Sequence, residues 1–139
     1  MANKRSVTVR MKADLEYEAR NPQGNVVNID MYDPEHKHAQ SPMDLLLSAL
    51  GGCASVDAVL MMKKKRREIL DFFVEVEGTR NDGVPAFYTD IELKFIIISA
   101  DATPEEFAKV VALSVDKYCS VASSLKSTIT YVSEVRRPE

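Results

Sequence analysis

Apolar and polar residues alternate from the start of the chain. Val7, Val9, Met11, Ala13, Leu15 and Tyr17 stand between Thr8, Arg10, Lys12, Asp14, Glu16 and Glu18. A period of two predicts one long strand with a buried face. Arg20-Asn21-Pro22-Gln23-Gly24-Asn25 carries turn residues, and Val26 to Tyr32 resumes as a second strand, so the two form a hairpin. Asp33 to Gln40 is a polar connector.

The pattern then changes. From Met43 to Met62 apolar residues fall on nearly every side, interrupted by Asp44, Ser48, Ser55 and Asp57. Ser41 as N-cap, Pro42 at the first helical position and Asp44 reaching back to the cap predict a helix start. Lys63 to Arg67 supply cations for its carbonyl end. A helix apolar almost all round belongs in a core. Gly51 and Gly52 each cost such a helix about 1 kcal/mol against alanine, so a close neighbour or a substrate should need them.

Beyond the helix, Phe72, Val74 and Val76 lead a strand ending near Arg80, and Asn81-Asp82-Gly83 is a turn. Phe87 to Ile98 is a further strand. Thr103-Pro104-Glu105-Glu106 repeats the helix-start signals, and Phe107, Val110, Val111, Ser114, Val115 and Tyr118 recur at helical spacing. Tyr118 is thereby expected in the core. Cys119 closes that helix, a short one continues to Lys126, and Ile129, Tyr131 and Val135 mark a last strand.

Strands, long helix, strands, helix and strand, without βαβ repetition, predict an α+β fold of mainly antiparallel sheet in one domain, residues 1–139. A single domain has few layers with which to cover a long apolar helix. An intimate homodimer, each subunit covering the other's helix, answers that need. The net charge of −3 speaks against nucleic acid as the main partner. The interrupted apolar run is a poor membrane span, and no signal segment is visible, so the expected place is the cytoplasm.

Cys53 and Cys119 lie 66 positions apart, without zinc-type or CxxC spacing. One reading makes them small buried hydrophobes. The other makes them a redox pair: a Cys53 thiolate attacks a peroxide, and Cys119 condenses with the resulting sulfenic acid. A reactive thiolate needs a cation. Arg20, at the hairpin tip, and Arg80, at a strand end, are the candidates. The Lys63–Arg67 cluster begins about 15 Å along the helix from Cys53 and reads as a solvated end. Leu50 and Gly52 flank Cys53 and are candidate pocket residues, with Met43 on the same helix a third. His36 and His38 have no further ligand tied to them by spacing, so no metal or other cofactor is expected.

SPMDLLLSALGGCASVDAV, with DKYCSV later in the chain, resembles the OsmC/Ohr family of peroxide-stress proteins. The likeness extends over the N-terminal hairpin, VEVEGTR, IELKF and the cysteine-bearing second helix. It implies antiparallel sheets around a long buried central helix, an intertwined homodimer, and thiol-dependent reduction of organic hydroperoxides. Cys53 then matches the peroxidatic cysteine, Cys119 the resolving one, and Arg20 the activating arginine. An external dithiol, of the lipoyl kind, would be the reductant. Better-studied members carry a glutamate where this chain has Met43. The adjacent Asp44 is turned by roughly 100° on the helix and does not take its place. The alternative function is a binding or stress protein of the same fold with little turnover.

Overall fold

The computed structural model describes residues 3–139. The chain divides into two compact units, Met1–Leu46 and Leu47–Glu139.

The first unit holds an antiparallel sheet of β1 (Thr8–Ala13), β2 (Glu16–Arg20) and β3 (Val26–Asp30). The long first strand expected from the alternation is therefore two strands joined by a tight turn at Asp14 and Leu15. Alternation could not reveal this turn. Val9 pairs with Ala19 and Met11 with Tyr17, and a register irregularity between Met11 and Ala13 absorbs the odd residue. Odd positions thus stay on one face through the turn. Tyr17 and Ala19 continue that face to Ile29 and Val27. The face is not buried as expected: every residue of β1 is exposed.

The connector after β3 is organised by Asp30, whose side chain is completely buried. Its carboxylate accepts from Lys37 Nζ at 2.8 Å, His38 N at 2.9 Å and Ala39 N at 2.7 Å. Burial pushes the carboxyl pKa up, but the Lys37 ammonium and the two backbone N–H groups outweigh it and hold the value at about 2. His36 bonds Asp33 at 2.7 Å, and His38 lies 3.3 Å from Glu16. Both histidines thus serve the connector.

Helix α1 (Pro42–Lys64) begins with the expected capping box: Asp44 N donates to Ser41 Oγ and Ser41 N to Asp44 Oδ2, each at 3.2 Å. Its end departs from pattern. Arg66 N donates to the Lys63 carbonyl and Arg67 N to the Met62 carbonyl, a closing turn that puts Arg66 at φ 62°.

The second unit contains most of α1 and a sheet ordered β4 (Asp71–Arg80), β5 (Tyr88–Ile98), β6 (Thr128–Arg136). β4 and β5 are antiparallel, whereas β5 and β6 are parallel. The chain between them contains α2 (Pro104–Leu113) and α3 (Ser120–Ser124), so a single βαβ crossover stands within the mainly antiparallel fold. A lone crossover leaves no repeat in the sequence to signal it. Ile91, Leu93, Phe95 and Ile97 form the middle of the core, joined by Phe107, Val110 and Val111 from α2. The ring of Phe72 meets Phe107 edge-on, centroids 6.2 Å apart.

Contrary to expectation, α1 is not buried all round. Leu50, Gly51, Ala54, Ala58 and Met62 form a single buried stripe, while Val56 is 58% and Leu60 54% exposed. The stripe rests on β4, where Gly51 allows the close approach. A β-carbon there would lie 3.0 Å from Val76 Cγ2 and 3.3 Å from Val74 Cγ1. At Gly52 a β-carbon would meet open space.

Candidate functional site

Two elements of the second unit bring the cysteines together. α1 carries Cys53 at its middle, on the flank of the buried stripe and half-buried. The other element is less regular. After Leu113 the helix widens into one i→i+5 turn, Ser114–Tyr118, and Cys119 comes next in extended conformation as the N-cap of α3. Its Sγ accepts from Ala122 N at 3.4 Å, doing with sulfur what a serine oxygen does at other helix starts.

The Cys119 thiol, 3% exposed, lies close enough to the Cys53 side chain to feel it electrostatically, and both cysteines are free. Burial pushes the Cys119 pKa up; the adjoining Cys53 sulfur adds to the rise, and the N–H groups of Ala122 and Val121 offset part of it. Cys119 is therefore held as a protonated thiol against a more accessible sulfur. This arrangement can form a disulfide by local adjustment and can give Cys53 a proton donor.

The other residues singled out in the sequence are more scattered. Leu50 has no exposed surface and belongs to the core stripe. Gly52 is exposed, and Met43 lies half-buried in the first turn of α1. Arg20, at the end of β2, is bound within its own hairpin: Nη2 is 2.9 Å from Glu18 Oε1 and Nη1 donates to the Gly24 carbonyl at 3.1 Å. Arg80 Nε donates to the Ala86 carbonyl across the β4–β5 connection.

A groove of about 580 Å³, unforeseen from the sequence, is lined by Asp57, Leu60, Met61, Lys63, Lys64 and Tyr118. Tyr118, expected in the core, is 48% exposed because the wide turn shifts it out of helical phase. The cationic cluster is a solvated end through Lys63, Lys64, Lys65 and Arg66, all exposed, whereas Arg67 pairs with Glu106 at 2.9 Å. The only sequence signal for the groove was the recurrence of Asp57, Leu60, Met61 and Lys64 on the Cys53 edge of α1.

A family model for OsmC-like protein matches residues 34–134. Protein YhfA of Escherichia coli K12 is 37% identical over 91 residues, which cover 66% of this chain and 68% of YhfA. The crystal structure of a protein from Aquifex aeolicus VF5 has a TM-score of 0.86 at 25% identity, covering 99% of this chain and all of that one (100%). The organic hydroperoxide resistance protein OhrB of Bacillus subtilis shares the fold, with a TM-score of 0.63 at 12% identity, covering 96% of this chain and 98% of OhrB. The paired cysteines thus stand in a chain that belongs to the OsmC-like family.

Proposed function

We propose that the protein is a cytoplasmic two-cysteine thiol peroxidase acting on organic hydroperoxides. The observation that carries this reading is the contact between a half-buried Cys53 and a buried, protonated Cys119. The Cys53 thiolate attacks the distal oxygen of ROOH; the O–O bond breaks, Cys53 becomes a sulfenic acid, and the alkoxide leaves as ROH after taking a proton. The Cys119 sulfur then displaces hydroxide from the sulfenic acid, forming the disulfide and water. An external dithiol of the lipoyl kind restores both thiols and becomes a disulfide itself. Arg20 is the proposed cation for the Cys53 thiolate, with Arg80 as the other candidate. Met43 and Gly52 are proposed to border the substrate.

The proposed working form is a homodimer. Val9, Met11 and Val27 in the first unit, and Val56 and Leu60 on α1, leave apolar surface of the kind that a second copy covers. Sedimentation at micromolar concentration is expected to give twice the chain mass, and a monomer there would reject this part.

The central test is titration of the reduced protein with cumene hydroperoxide, followed by thiol counting and mass spectrometry. The expected result is loss of both thiols with a Cys53–Cys119 disulfide. Cys53→Ser should abolish the loss, and Cys119→Ser should turn it into over-oxidation of Cys53. Retention of both thiols under excess peroxide would reject the enzyme. One observation favours the second reading, a binding protein with little turnover: the Arg20 guanidinium is already engaged by Glu18 and Gly24.

A further inference from the structure

One row of the second unit's sheet touches both elements that carry the cysteines. Residues paired across adjacent strands share a face. Val76 of β4 pairs with Leu93 of β5, and Leu93 with Tyr131 of β6, so the three stand side by side on one face. At the β4 end, Val76 Cγ2 lies 3.0 Å from where a β-carbon on Gly51 would sit, so α1 rests on the row just before Cys53. In the middle, Leu93 is completely buried. At the β6 end, the Tyr131 hydroxyl donates to Asp116 Oδ2 at 2.5 Å, shortly before Cys119. The row is two strand spacings wide, roughly 10 Å. It runs from the support of one sulfur to the support of the other.

The turn that carries Cys119 needs such a hold. An i→i+5 turn is rare, so contacts outside its own backbone must keep it. Within it Ser114 and Val115 are buried, and Ser114 Oγ donates back to the Val110 carbonyl at 2.9 Å. Asp116, Lys117 and Tyr118 are exposed, and the Tyr131–Asp116 bond ties this exposed half to the sheet. The bond to the Asp116 carboxylate, and then burial, raise the Tyr131 pKa, so the hydroxyl stays protonated and keeps donating at neutral pH. We propose that Tyr131 is a positioning residue for the thiol pair: its hydroxyl pins the wide turn through Asp116 and so holds the Cys119 sulfur beside Cys53. Its part in turnover rests on the thiol peroxidase reading; its part in bringing the sulfurs together applies to any dithiol–disulfide exchange at the pair.

The test equilibrates the protein in glutathione redox buffers and measures the Cys53–Cys119 disulfide by mass spectrometry. In this exchange the pair gains one S–S bond, that of glutathione disulfide breaks, and the two protons leave on two glutathione thiols. Tyr131→Phe keeps the ring and removes the hydroxyl. It should shift the equilibrium toward the protein thiols by about ten-fold, the low end for a hydrogen bond to a charged acceptor. Asp116→Ala should shift it as far, and Tyr131→Phe/Asp116→Ala no further, because all three lose the same bond. Asp116→Asn keeps an acceptor oxygen and should stay closer to wild type than alanine does. A lower melting temperature with the equilibrium unchanged would overturn the proposal, as would single losses that simply add in the double variant. So would a wild-type protein that forms no Cys53–Cys119 disulfide in oxidised glutathione. Cumene hydroperoxide on the wild type separates the two ideas. Its failure to consume thiols rejects the peroxidase reading alone, while the ten-fold shift in glutathione buffers still supports the pin.

Discussion

Asp30 and Cys119 are both buried acids, and their surroundings pull them in opposite directions. Asp30 is met by an ammonium and by the backbone N–H groups of His38 and Ala39, so its charge is balanced within the protein and its pKa falls to about 2. Cys119 has a long contact from Ala122 N–H and a second sulfur, and its pKa rises. A group whose bonds are all made holds a connector in place. A group left short of partners stays protonated, and the two cases separate a balanced buried charge from a buried neutral thiol.

Alkylation puts this contrast to its severest test. Iodoacetamide at neutral pH should modify Cys53 at least about ten-fold faster than Cys119, as mapped by mass spectrometry, because exposure and thiolate character set the rate. Cys119 should respond only as pH rises well above the ordinary thiol range, since its pKa is raised. Comparable rates at neutral pH would erase the distinction.

Next comes Asp30→Asn, which leaves Lys37 facing a neutral amide. The melting temperature should drop by at least about 5 °C, with hydrogen exchange accelerating first in the connector at residues 33–40. The folded pKa lies below the unfolded one, so the carboxylate stabilises fully above about pH 4, near the ordinary aspartate value. That contribution is lost as pH falls toward about 2. The variant's stability should therefore depend less on pH over this window, as acid titration of unfolding would read.

A smaller effect contrasts filled and open surroundings beside Cys53. Gly51→Leu should destabilise by about 1–3 kcal/mol through overpacking against Val74 and Val76. Gly52→Ala, facing open space, should stabilise the isolated chain by about 1 kcal/mol. If Gly52→Ala instead weakens self-association, that position lies in the proposed dimer contact. The smallest effect is Arg66→Gly, which relieves a left-handed residue and should stabilise by up to about 1 kcal/mol in urea unfolding.

Much of this molecule could be read from local chemistry. Ser41 and Asp44, and Thr103 and Glu106, form the capping boxes their spacing announces. The cysteine motifs placed two distant sulfurs together, and in the structure they are neighbours. The features that escaped depend on relations that spacing does not encode. The turn at Asp14 preserves parity, so alternation passed straight through it. The parallel pairing of β6 is a choice of partner strand made at long range. The helical period placed Tyr118 inside because it assumed an unbroken α-helix, and the buried aspartate depends on a connector whose sequence looked merely polar.

The wide turn at Ser114–Tyr118 has one more implication. By accommodating an extra residue per turn, it works as a phase slip of roughly 100° between α2 and the cysteine beyond it. Deleting one residue there would let an ordinary helix run on with Tyr118 and the downstream sulfur in the phase they now hold. Winding all five residues as an unbroken α-helix would instead rotate Tyr118 toward the interior and swing the sulfur away from its partner. Pairing of the thiols is therefore tied to the wide winding of that turn.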